Sequence, residues 1–208
     1  MATLREIQAA MSGFPRNLSW NDFRPVANSL SPPAQAQTGA RWSTTGWSVR
    51  VVNGEYRVHG ARVNVSLNPH NTWAVPGART SATLLRHEQG HYDITGLIAR
   101  DLIRKILDLS LDVVVIGAMQ AAGNTPHQHQ NFAVQRFQSY INTYVQEATA
   151  LGAKLQTDPT TRADGIYDVQ TNHSQNTTGQ AAWNARLQRM KAGDENFELN
   201  LAMEGIVT

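Results

Sequence analysis

The chain has no cysteine among its 208 residues. That excludes disulfides, a thiol nucleophile and thiolate metal sites, and leaves His, Asp and Glu as the side chains able to hold a metal. Charge is scarce too. Asp, Glu, Lys and Arg make up 16% of the residues, against about 25% in ordinary soluble domains. The net charge is +2 and no block of Lys or Arg appears, so nothing points to a nucleic-acid groove. Long apolar runs are missing. The most apolar stretch, Leu109 to Ala122, contains Asp112 and falls short of the ~20 residues a membrane span needs. It reads as buried core. Met1 to Trp20 carries no apolar segment behind a basic start, so no signal peptide is visible. A soluble protein without a membrane span is expected, cytoplasmic or exported by a route without a classical signal.

What is present suits one folded unit. Hydrophobic residues make up 41% of the chain, enough for a core, and the length fits a single domain over 1–208. A short helix is expected from Thr3 to Met11, then a Gly-Pro break. Residues 25–40, with Pro32-Pro33, read as a loop. Trp47, Val49 and Val51 alternate, Asn53-Gly54 follows, and Tyr56 and Val58 alternate again. Asn-Gly between alternating runs is a strong hairpin signal. Val63, Val65 and Leu67 predict a further strand, either interior or an edge that could pair with an extended substrate. Residues 18–75 are thus mostly strand and loop.

Residues 80–191 read as mostly helical. Thr80 or Ser81 can cap a helix whose apolar stripe runs from Leu84 through Ile94, Leu97, Ile98, Leu102 and Ile106 to about Leu109. Further helices are expected over 111–122, over about 126–156 behind Thr125-Pro126, and over 179–191. Asp158-Pro159 and Asp164-Gly165 mark turns, and the tail 192–208 shows no clear pattern. The expected class is α+β, a small antiparallel N-terminal sheet packed on a mainly helical body.

On the long helix lies His87-Glu88-Gln89-Gly90-His91, a match to H-E-x-x-H. Residues four apart project from one helix face, so both imidazoles can grip one Zn²⁺. Glu88 then sits where a base could take a proton from water. The pattern arises by chance in roughly one chain in a few hundred, so its context matters. Here a long helix, a preceding sheet and small Gly90 are favourable. A catalytic zinc usually has three protein ligands. The extended form with a third His three residues past a Gly fails, because Ile94 and Leu97 occupy those positions. Asp93 is half a turn from His91 and points elsewhere. Glu147, the His127-x-His129 pair and His173 remain as distant candidates. Near His173, Tyr167 could donate to a developing oxyanion or simply pack in the core. Asp168 could orient a ligand imidazole or lie solvated in a turn. Trp73 is a candidate cleft wall.

Several runs resemble the bacterial family of zinc-dependent peptidases known as domain of unknown function 922 (DUF922). Leu18-Ser19-Trp20-Asn21-Asp22-Phe23 looks like its opening W-x-D-F. Trp42-Ser43-Thr44 and Trp47 match its aromatic hairpin region. Leu85 to Ile94 is close to its L-x-H-E-Q-G-H-F-D-I core. Tyr167-Asp168-x-x-Thr171-x-His173 resembles its late Y-D-x-x-T-x-H-G element, with Ser174 in place of the Gly and Asp158 to Gly165 resembling an insertion. The resemblance covers about residues 18–190. It implies a zincin-like fold, His87, His91 and His173 as zinc ligands, Glu88 as the catalytic base, and a peptide or protein substrate. Two other classes fit the same motif: a non-catalytic binding or toxin-accessory module with a structural zinc, and an amide or ester hydrolase.

Overall fold

The structure, a computed structural model, describes residues 1–30, 34–120, 123–156 and 164–207. Pro32-Pro33, the end of the expected 111–122 helix, the Asp158-Pro159 turn and most of the insertion therefore lie outside the described residues. The chain begins with α1 (Leu4–Ala9), capped by Thr3, and β1 (Met11–Ser12). The strands β2 (Arg24–Pro25), β3 (Ala36–Gln37), β4 (Ala40–Thr45), β5 (Ser48–Val52), β6 (Glu55–His59), β7 (Arg62–Leu67) and β8 (Trp73–Ala74) follow. Then come α2 (Ala82–Leu107), β9 (Ser110–Asp112), α3 (Val113–Met119), α4 (Pro126–Leu155), α5 (Ile166–Thr171), α6 (Thr177–Ala192) and α7 (Phe197–Met203). This is an α+β fold, with small sheets packed on helices.

The expected single sheet is three small ones among the described residues, ordered β1-β7-β4, β2-β8-β3 and β5-β6-β9. The β5–β6 hairpin turns at Asn53 and Gly54, with φ of 52° and 79°, the left-handed pair that a tight hairpin needs. β7 does not continue that hairpin. It pairs with β1 on one side and β4 on the other, so it is an interior strand and the edge reading falls. The pairs β1–β7 and β2–β8 are parallel, because short N-terminal segments return beside strands far along the chain.

Ser81 caps α2, its side chain accepting the Leu84 N–H at 3.1 Å. The predicted stripe is buried: Ile94, Leu97, Ile98, Leu102 and Ile106 all lie in the core, each contributing about 1.5–3 kcal/mol. β4 and β7 pack on this helix from one side, and α4, α6 and α7 from others. α2 is therefore the central post, and its first turns carry the motif.

The stretch 109–122 departs from expectation. It opens as β9, pairing with β6, and turns helical only where Asp112 caps the N–H groups of Val114 and Val115 at 2.7 and 3.1 Å. Ile116 is buried, whereas Val114, Val115 and Met119 are exposed. The apolar run lacks a helical period, so it cannot bury every side chain on one packed face. Trp73 is fully buried, its indole N–H donating to Gln37 Oε1 at 2.9 Å, which removes it as a cleft wall. No described helix is long and apolar enough to cross a membrane.

Candidate metal centre

His87 and His91, one turn apart on α2, point their Nε2 atoms at each other, 3.2 Å apart. Between them arrives Asp168 from α5, its Oδ1 3.2 Å from His87 Nε2 and 3.0 Å from His91 Nε2. These three residues form a group that could hold a metal ion. Donor atoms at about 2.0–2.2 Å around a tetrahedral ion lie about 3.3–3.6 Å apart. The observed spacing is within a few tenths of an ångström of that, so the donor set fits a small divalent cation. All three residues are largely withdrawn from solvent.

The hydrogen bonds around the imidazoles assign their tautomers. Gln180 on α6 spends its amide N–H groups on Tyr167 Oη at 3.0 Å and Asn184 Oδ1 at 2.9 Å. Its Oε1 thus faces His87 Nδ1 at 3.2 Å and accepts from it. Thr171 Oγ1, 3.3 Å from the same nitrogen, donates its own proton to the Tyr167 carbonyl at 2.7 Å. It too can only accept from the ring. Gln156, capping the end of α4, repeats the device. Its amide donates to Thr95 Oγ1 at 3.1 Å, Thr95 donates to the His91 carbonyl at 3.0 Å, and Gln156 Oε1 meets His91 Nδ1 at 3.2 Å. Each Nδ1 carries a proton and each Nε2 faces the metal position.

Electrostatics agree with this convergence. Burial works against the positive charge of His91, but the Asp168 carboxylate overcomes it and raises the pKa to about 9. Burial also opposes the charge of Asp168, yet the two imidazoles hold its carboxyl far below the usual range. The raised pKa of His91 marks the same place as one that favours positive charge.

Glu88 is buried beside the cluster, and its Oε2 accepts from Thr38 Oγ1 at 2.7 Å. Gln89 turns away and ties the N-terminal segment to α2. Its Oε1 accepts the Leu18 N–H at 2.6 Å and its Nε2 donates to the Arg16 carbonyl at 2.9 Å. Asp93, expected to point elsewhere, does so. It pairs with Lys191 at 2.5 Å and accepts from Gln89 at 2.9 Å.

Tyr167 is fully buried, its ring stacked on His87 with centroids 4.9 Å apart and planes at 11°. Its hydroxyl donates to the His87 carbonyl at 2.9 Å and accepts from Gln180, and burial pushes the phenol's pKa up. The hydroxyl is thus occupied in supporting α2. Gly90 is what admits it, because a Cβ there would lie 2.0 Å from the Tyr167 oxygen.

His173 stands at the rim, its side chain half exposed. Nε2 is 3.2 Å from Asp164 Oδ2 and Nδ1 is 3.8 Å from Asp168 Oδ1. Asn172, His173 and Ser174 all have positive φ, 44°, 48° and 80°, and this left-handed turn brings the imidazole back toward the cluster. Ser174 thus holds a backbone conformation that suits glycine. Glu147 is remote in function: it pairs with Lys105 at 3.0 Å and has no part in the group. His127 is exposed and His129 half-buried, and neither joins a metal-holding group among the described residues.

Asp168 is therefore not a solvated turn carboxylate. It is also not an orienter of imidazole Nδ1, since it meets the Nε2 atoms in the position of a ligand. Gln156, Gln180 and Thr38 belong to the site without having stood out in the sequence. Comparison with family models, with curated proteins and with solved structures returns no match to this chain.

Proposed function

We propose that the chain is a zinc-dependent peptidase in which His87, His91 and Asp168 hold the metal and Glu88 is the base, the activity its resemblance to DUF922 implies. The observation that carries this reading is the meeting of two Nε2 atoms and one carboxylate oxygen within about a tetrahedral edge of each other, with a second buried carboxylate on the next residue of the same helix. Bound there, zinc supplies the positive charge that polarises a carbonyl and acidifies water. Gln180 and Gln156 keep both imidazoles in the ligating tautomer and orientation. Glu88 takes the proton of the attacking water and returns it to the leaving amine nitrogen. Tyr167 acts through structure, wedging His87 from behind.

Two imidazoles and a carboxylate also suit iron(II). The buried carboxylate beside them favours hydrolysis, which needs a base at that place. A second reading rests on His173, also the ligand that DUF922 resemblance implies. If the rim turn delivers its Nδ1 to the ion in addition to Asp168, four protein ligands close the site and make the zinc structural.

The test is hydrolysis of oxidised insulin B chain by zinc-loaded protein and by its Glu88→Gln variant. Cleavage by the parent, with loss of about 10²–10⁴-fold in kcat and full retention of zinc in the variant, supports the reading. Equal cleavage by both would contradict it.

A further inference from the structure

Glu88 takes a hydrogen-bond partner from the sheet region, Thr38, and the segment that carries Thr38 is tied down on both sides. Thr38 sits in the short link between β3 and β4. On its N-terminal side the Gln35 carbonyl accepts the Val75 N–H at 2.9 Å, β3 pairs antiparallel with β8, and Gln37 Oε1 accepts the indole N–H of buried Trp73. On its C-terminal side the Gly39 N–H donates to Thr72 Oγ1 at 3.2 Å and the Gly39 carbonyl accepts the Asn68 N–H at 2.7 Å. The fit is close enough that a Cβ on Gly39 would lie 2.6 Å from Asn71 Cβ. Residues 35–39 are therefore tied to the neighbouring strands on both sides, and Thr38 is the residue that reaches from this bracket to Glu88 on α2.

From this we infer that Thr38 is the positioning residue of the catalytic base, the device by which the sheet region sets the direction of the Glu88 carboxylate. A glutamate has three rotatable side-chain bonds, and burial alone does not choose among its rotamers. The Thr38 hydroxyl has one proton, and it goes to Glu88 Oε2. That bond fixes the carboxylate plane and reserves Oε1 for the proton in transit. It also survives the reaction step, because a hydroxyl can donate to a carboxylate and to the carbonyl oxygen of a carboxylic acid alike.

The inference rests on Glu88 being the base, and the experiment separates the two. Zinc-loaded Thr38→Val, Thr38→Ser and Glu88→Gln are compared with the parent by crystal structure, by zinc content and by kcat and KM on oxidised insulin B chain. Valine keeps the shape of threonine and loses the donor; serine keeps the donor. We expect Thr38→Val to retain zinc and KM, to release Glu88 into another rotamer, and to lose about ten- to a hundredfold in kcat, the size of one hydrogen bond to a charged group. Thr38→Ser should recover both rotamer and rate. A Thr38→Val structure with Glu88 unmoved overturns the inference whatever the activity. A Glu88→Gln protein as active as the parent overturns the role of Glu88, and with it the reason for the bracket.

Discussion

The hydroxyl of Tyr167 donates to the backbone carbonyl of His87 across 2.9 Å, through space that a side chain at position 90 would fill. This bond ties α5 to α2 directly behind His87, one of the three residues that could hold a metal ion. Gly90→Ala is the direct probe. Helix propensity favours alanine by about 1 kcal/mol, but a buried phenol forced aside costs more. We expect a net loss of about 1–3 kcal/mol in denaturant unfolding, together with weaker zinc binding as the ring leaves His87. Tyr167→Phe should cost only about 1 kcal/mol and leave kcat within a few-fold. A kcat loss without loss of stability would return the hydroxyl to the chemistry.

Zinc binding should release a proton. With no metal bound, the Asp168 carboxylate, acting against burial, keeps His91 protonated up to about pH 9. A raised folded pKa stabilises the fold fully below the ordinary value of 6.5, and that contribution is lost as pH rises through about 9. A cation must displace the same proton. Apparent affinity is therefore expected to climb between pH 6.5 and about 9 and then level off, with roughly one proton released per ion near pH 7.5. Calorimetry in buffers of different ionisation enthalpy measures the number. Zero release would mean that the imidazole and carboxylate are not the ligands.

The two glutamines should matter to the metal though they never touch it. Gln180 and Gln156 hold the Nδ1 atoms of His87 and His91 at 3.2 Å each. Replacing either with alanine is expected to weaken zinc affinity about 10–100-fold, read by competition with a chromophoric chelator. Unchanged affinity in both variants would show that packing alone orients the rings.

His87, Glu88 and His91 were legible in the sequence because helical spacing by itself puts the two imidazoles on one face, and the Ser81 cap and apolar stripe placed the helix. The Asn53-Gly54 hairpin was legible for the same reason: its geometry is local. Asp168 was visible as a residue but not as a ligand, since a carboxylate 77 positions beyond His91 meets it only through the packing of α5 on α2. Gln156, Gln180 and Thr38 carry no local signature, because a neutral amide or hydroxyl becomes part of a site only by what the fold sets beside it. The reading of 109–122 as buried core failed on composition without period. Val114 and Val115 are as apolar as Ile116, yet only Ile116 faces inward. The short strands β1, β2, β3 and β8 escaped notice because two residues give no alternation to read.

The third ligand is identified by the zinc content of Asp168→Asn measured beside that of His173→Ala. Both proteins are purified, loaded, dialysed and confirmed folded by circular dichroism. One zinc per chain is expected in the parent and in His173→Ala, and its loss in Asp168→Asn. Zinc retained by Asp168→Asn and lost from His173→Ala would overturn the assignment of Asp168 as a ligand.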